Sequence, residues 1–160
     1  MLFFVLKYLH LIGATVLLGT GSGIAFFMLM AHRTGDAAII AAVARIVVIA
    51  DFVFTATAVV AQPITGAALA SVAGYSLGEG WIVLSLGLYL FTGMFWLPVV
   101  WMQLRLRDLA GAAARRQEPL SPEYYRLFHA WFAFGFPAFG AVLAIFWLML
   151  TRPEIAALRV

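Results

Sequence analysis

Apolar residues fill four long stretches of this chain, and polar residues gather at the joins between them. The stretches run from about Phe3 to Met30, Val43 to Ala73, Gly80 to Leu104 and Tyr125 to Leu150. Each exceeds the roughly 20 apolar residues that cross about 30 Å of hydrocarbon. A helix keeps its backbone hydrogen bonds internal, as lipid requires of a spanning segment. The pattern therefore predicts an all-α polytopic membrane protein. One domain over residues 1–160 forms a four-transmembrane-helix bundle with both termini on the same side. The first stretch is too long for a signal-peptide h-region and lacks a small-x-small cleavage site, so it reads as a retained helix.

The joins differ in kind. His32 to Ala42 contains Gly35 and Asp36, with Asp36 placed to cap the following helix. Gly74 to Glu79 reads as a tight turn, and Arg105 to Pro122 as the one substantial polar connection. Within the latter, Ser121-Pro122-Glu123 has the cap, proline and acid of a helix start. The tail after Thr151 is expected to fray. The first and third joins share one side with seven basic residues: Arg33, Arg45, Arg105, Arg107, Arg115, Arg116 and Arg126. Lys7, Arg152 and Arg159 lie on the other. Positive-inside bias places the Arg-rich joins in the cytoplasm and both termini outside, in a bacterial inner membrane. The first and fourth helices differ in polar pattern, which argues against an inverted-repeat transporter.

Composition reinforces this class. The chain is 65% hydrophobic and 11% charged, against about 45–50% apolar and 25% charged in a soluble domain. A soluble cytoplasmic enzyme is excluded. The net charge of +3 sits in the joins, where it reports topology rather than a nucleic-acid surface. Cysteine is absent, so disulfides, thiolate catalysis and Cys-ligated metal or haem are excluded.

Ionisable groups inside a span face protein or water, so any chemistry is sought among them. His10 lies about 10 Å inside the first span. Its functional reading is a ligand for haem or a proton-handling group beside a quinone, and its plain reading is a packing hydrogen bond. Lys7 shares its helix face and is able to snorkel to the interface. Asp51 begins a stripe with Thr55, Ala58 and Gln62 along one face of the second span. Asp51 reads either as proton relay or substrate base, or as an ion pair or hydrogen bond holding the bundle together, with Arg45, His129 or Arg126 as partner. Among these, an Asp51–His129 pair is the preferred contact, and Thr55 and Gln62 read as interhelical glue. Pro63 frees a carbonyl that Gln62 or Thr65 is placed to satisfy. His10 and His32 are 22 positions apart, about 33 Å along a helix. His10 and His129 lie at opposite levels. Two histidines of one chain therefore do not share a haem, and a three-histidine zinc centre fails likewise.

Gly19-Thr20-Gly21-Ser22-Gly23 lies mid-helix, not after a strand, which excludes a phosphate loop. Gly19 and Gly23, four apart, predict a close helix approach, as do Gly135 and Gly140 beside a kink at Pro137. Trp81, Trp96, Trp101, Trp131 and Trp147 suit interface belts. Pro98 and Gln103 suggest a kinked exit with a polar cluster facing the cytoplasm.

Four segments carry a family likeness: "LKYLHLIGATVLLGTGSGIAFF", "RIVVIADFVFTATAVVAQPITG", "LYLFTGMFWLPVVWMQLRLRDLA" and "LFHAWFAFGFPAFGAVLAIFWLML". They resemble the bacterial predicted integral membrane proteins grouped as domain of unknown function 2269. That resemblance implies no activity but gives weight to Lys7, His10, Asp51, Gln62, Pro63, Trp96, Pro98, Gln103, Arg105 and Pro137. The Lys7-x-x-His10 opening followed by Gly19 is also similar to the haem-dependent membrane protoporphyrinogen oxidase and to copper-resistance membrane domains. The oxidase likeness implies a haem-ligand role for His10, but Asp51 and Gln62 stand where its later basic helix signatures are lacking.

The residues support two readings. In the first, the chain is an accessory or structural membrane bundle, whose partners are lipid, a second copy or another membrane protein. In the alternative it is a haem b- or quinone-associated redox protein, with His10 as ligand, Lys7 and Gln62 lining the cofactor and Asp51 and His129 moving protons. An ion or copper permease lacks converging ligands.

Overall fold

Lipid demands internally satisfied backbone, and the chain answers with long helices. The computed structural model describes residues 1–155. Among them are α1 (Leu2–Thr34), α2 (Ala37–Ala50), a π turn (Asp51–Thr55), α3 (Ala56–Val72), α4 (Gly80–Arg116) and α5 (Pro122–Thr151). The segment from α2 through α3 is one continuous crossing, so four helices are long and apolar enough to span a membrane. An even number of crossings returns the chain to the side on which it began. Arg159, one of the three basic residues assigned to the outer side, lies outside the described residues.

The first and third joins are shorter than the hydropathy pattern implies, and the second is as short as expected. α1 ends at Gly35, which takes the left-handed conformation at φ 67° and donates its N–H to the His32 carbonyl. Asp36 caps α2 as expected, its Oδ1 accepting from the amides of Ala38 at 2.7 Å and Ile39 at 3.1 Å. Ser121 Oγ accepts from the Tyr124 amide at 3.3 Å, and Pro122 occupies the first turn of α5. The expected polar connection from Arg105 to Pro122 is largely helix, however. α4 runs 37 residues to Arg116, about 55 Å at 1.5 Å per residue, far beyond the hydrocarbon. It remains helical because Leu106, Ala110 and Ala113 keep a buried face at helical spacing, packed with Ile40, Ala41 and Ala44 of α2. Hydropathy averaging hides that face behind the arginines.

Among the described residues, two apolar clusters hold the bundle. The larger fills the Arg-rich half, from Met28 of α1 through Ile40 and Ala44 to Leu106, Tyr124 and Phe128. The smaller, around Ala70, Trp81 and Ile82, closes the opposite end together with Tyr75, Met149 and Ile155. Arg152 is tied there rather than frayed. Its Nη1 donates to the Tyr75 hydroxyl at 2.6 Å, and its guanidinium sits 5.3 Å from that ring. A side chain on Gly80 would strike the Ile155 carbonyl at 2.6 Å. Trp81 and Trp131 are buried, so only Trp101 and Trp147, both well exposed, behave as expected of an interface belt. Gln103 is likewise buried rather than turned to the cytoplasm.

Pro63 lies inside α3 and cannot donate to the carbonyl four residues back, that of Val59. Neither Gln62 nor Thr65 makes good the loss. The Tyr89 hydroxyl of α4 donates to the Val59 carbonyl instead. A proline defect in one helix thus becomes an anchor for another. Tyr89→Phe is expected to destabilise the bundle by about 1 kcal/mol, the scale of intramembrane hydrogen bonds. Restoring an N–H with Pro63→Ala should make the same change nearly neutral. A double-mutant cycle by unfolding in detergent checks this, and additive effects would remove the coupling.

Candidate functional site

The stripe read from the sequence is a buried face. Asp51, Thr55, Ala58 and Gln62 are each less than a tenth exposed. At Asp51–Thr55 the helix widens, and the Ala56 N–H reaches back five residues to the Asp51 carbonyl. One extra residue in a turn rotates the remainder of the helix by roughly 100°. Accordingly, the α2 backbone lies close to α4 and α1, whereas that of α3 lies close to α1 and meets α4 through side chains. The π turn therefore decides that the two ends of one stripe meet different helices.

At its first end, the Asp51 Oδ1 accepts from Trp96 Nε1 of α4 at 3.4 Å, a long bond. Thr55 Oγ1 is buried beside it, with no hydrogen-bond partner among the described residues. The expected Asp51–His129 pair does not form. His129 Nδ1 lies 2.6 Å from the Tyr125 carbonyl in its own helix, and a carbonyl only accepts, so this nitrogen carries a proton. Register is the reason. Antiparallel α4 and α5 set Phe95 against Phe134 and Arg105 against Glu123. The level of Trp96, and so of Asp51, falls about one turn further along α5 than His129. Arg45 and Arg126 make no ion pair with Asp51 either.

At the other end, α1 and α3 are locked by polar groups. Gln62 Nε2 donates to the His10 carbonyl at 2.8 Å, and His10 Nδ1 lies 3.0 Å from Thr65 Oγ1. Thr65 directs its one proton to the Ala61 carbonyl at 2.8 Å, so its oxygen accepts from His10 Nδ1–H. That assigns the tautomer and leaves Nε2 with its lone pair. Two glycines permit the approach. A Cβ on Gly13 would stand 2.5 Å from Gln62 Nε2, and one on Gly66 would stand 3.0 Å from His10 Cε1. Gly19, Gly135 and Gly140, expected to serve close helix contacts, have open space instead, and Gly23 meets only Phe27 of its own helix. Lys7 is exposed, with its Nζ 5.9 Å from the Phe3 ring.

The structure thus brings His10 together with Gln62 and separates them from Asp51. Asp51 precedes Thr65 by 14 positions, about 21 Å along the helix. His129 joins a third group, which sequence reading missed. The His32 ring stacks on Phe128 at 3.7 Å between centroids, with Nδ1 3.3 Å from the fully buried Tyr124 hydroxyl, and His129 is 6.4 Å away. The cue was the aromatic run at the start of the fourth span. Among the described residues, no three His, Cys, Asp or Glu side chains gather as a metal centre would need.

The chain matches the family model described as "Predicted integral membrane protein (DUF2269)" over residues 4–153. No curated protein and no solved structure matches it. These comparisons do not show the likeness to protoporphyrinogen oxidase that Lys7, His10 and Gly19 suggest.

The α1–α3 lock has a direct test. Gly13→Ala should force the Gln62 amide aside and lower stability by about 1 kcal/mol. Because the obstruction is the far end of a flexible side chain, Gln62→Ala should absorb the effect. Unfolding of the two single variants and the double variant checks this, and a Gly13→Ala cost that persists without Gln62 would show that the obstruction is elsewhere.

Proposed function

This chain belongs to the family of predicted integral membrane proteins designated DUF2269, and from that premise we propose that it is an accessory or structural membrane bundle of the bacterial inner membrane. The observation that supports this is the fate of its intramembrane polar groups. Gln62, His10, Thr65, Tyr89 and Trp96 all take part in hydrogen bonds between helices. Such bonds fix helix register and hold a bundle in one arrangement. Its partners would be lipid together with a second copy or another membrane protein, which the broad exposed apolar surface accommodates. The seven-to-three division of basic residues supports cytoplasmic Arg-rich joins and outer termini.

One observation favours a second reading. His10 Nδ1–H is held by Thr65, which orients the ring and leaves Nε2 with its lone pair. This is the arrangement of a histidine that ligates iron or accepts a hydrogen bond through its other nitrogen. It suits haem b with one histidine from this chain, or a quinone, with Lys7 and Gln62 at the same end. Asp51 and His129 lie too far along the bundle to serve that centre directly.

An absorbance spectrum of protein purified from haem-replete cells separates the two. The accessory reading expects no Soret band, together with a loss of stability in His10→Ala. A Soret band abolished by His10→Ala and altered by Thr65→Ala would overturn it in favour of the redox protein.

A further inference from the structure

On the Arg-rich side, α2 and α4 leave a cleft of about 330 Å³ lined by Ala41, Arg45, Arg107, Asp108, Gly111 and Arg115. Three guanidinium groups and one carboxylate border it. Arg107 takes up the carboxylate, with Nη2 2.8 Å from Asp108 Oδ1. Arg45 and Arg115 have no acidic partner among the described residues. The remaining wall is small: Ala41, and Gly111, on which a Cβ would stand 3.4 Å from Arg115 Nη1. Two arginines facing a cleft walled by small residues are suited to an anion with several oxygens, because guanidinium binds phosphate with directed, charge-assisted bonds.

Depth indicates the source of that anion. Arg45 lies eight residues into α2, about 12 Å from its start, and Arg115 lies in the last turn of α4, which has left the hydrocarbon. The cleft therefore spans the headgroup level. Ile49 and Phe52 follow Arg45 at helical spacing, and both are more than half exposed. They continue the Arg45 face along the lipid-facing wall, where acyl chains would lie.

We propose that this cleft is a binding site for the phosphate of an anionic membrane phospholipid, held by Arg45 and Arg115 with its chains along Ile49 and Phe52. Binding here differs from the diffuse attraction of a basic surface, because it depends on the position of two side chains and on the small wall that Gly111 presents beside Arg115.

Native mass spectrometry of the full chain, released from detergent with added phosphatidylglycerol, phosphatidylcholine or inorganic phosphate, tests this. One phosphatidylglycerol should be retained per chain, in preference to phosphatidylcholine. Arg45→Gln/Arg115→Gln should lower retention at least tenfold. Arg33→Gln/Arg126→Gln, which removes the same charge from the same side, should leave it unchanged. Gly111→Leu keeps every arginine and should also lower retention by blocking the cleft. Equal losses in the two double variants, or full retention by Gly111→Leu, would overturn the site. Displacement of the lipid by millimolar inorganic phosphate would overturn its assignment to a lipid.

Discussion

Hydrocarbon offers no hydrogen bonds, so each break in a spanning helix must be made good from within the protein. The second crossing carries two such breaks, the π turn at Asp51–Thr55 and the proline at 63. Much of the arrangement follows from how they are met. The widened turn shifts the buried face, so that the backbone of the crossing lies close to α4 and α1 in its first half and to α1 in its second, where α4 reaches it through side chains such as Tyr89 and Trp81. The proline leaves the Val59 carbonyl free, and Tyr89 reaches over from α4 to fill it. The breaks thereby specify which neighbours the crossing takes, a requirement that uniformly apolar helices impose only weakly.

Apolar packing and polar contacts divide the bundle between them. Two apolar clusters close its ends, one among α1, α2, α4 and α5 and one around Trp81. Between them lie the contacts of His10, Gln62, Thr65 and Tyr89. Leucine is as comfortable in lipid as against another leucine, so dispersion alone does not fix register there. Directed hydrogen bonds do, and Gly13 and Gly66 let the backbones come close enough to make them. The His32–Phe128 stack with Tyr124 does comparable work where α1 meets α5 at the Arg-rich end.

The candidate site residues were partly legible in the sequence. His10, Asp51 and Gln62 stood out because ionisable and amide groups in an apolar span are expensive and must face protein or water. That Asp51, Thr55, Ala58 and Gln62 turn inward was readable from spacing, but the π turn that rotates Gln62 away from the Asp51 direction was not. The partners of these residues were not readable. Asp51 meets Trp96 rather than His129 because the offset between α4 and α5 is set by side-chain packing along both helices. Thr65 looked like a helix-internal hydroxyl, and only its position across from His10 reveals that it fixes a tautomer.

Local chemistry was therefore determined by the sequence. It specified four crossings, the Asp36 and Ser121 caps, the missing Pro63 donor and the basic side, because each depends on neighbours a few residues away or on transfer from water to lipid. Tertiary structure decided what lies opposite each group. That Gly13 and Gly66 carry the close approach while Gly19 stands open, that Tyr89 completes Val59, and that Arg45 meets Arg115 across a cleft all depend on relative rotation and register. Those quantities come from packing summed over whole helices, and no short stretch of sequence encodes them.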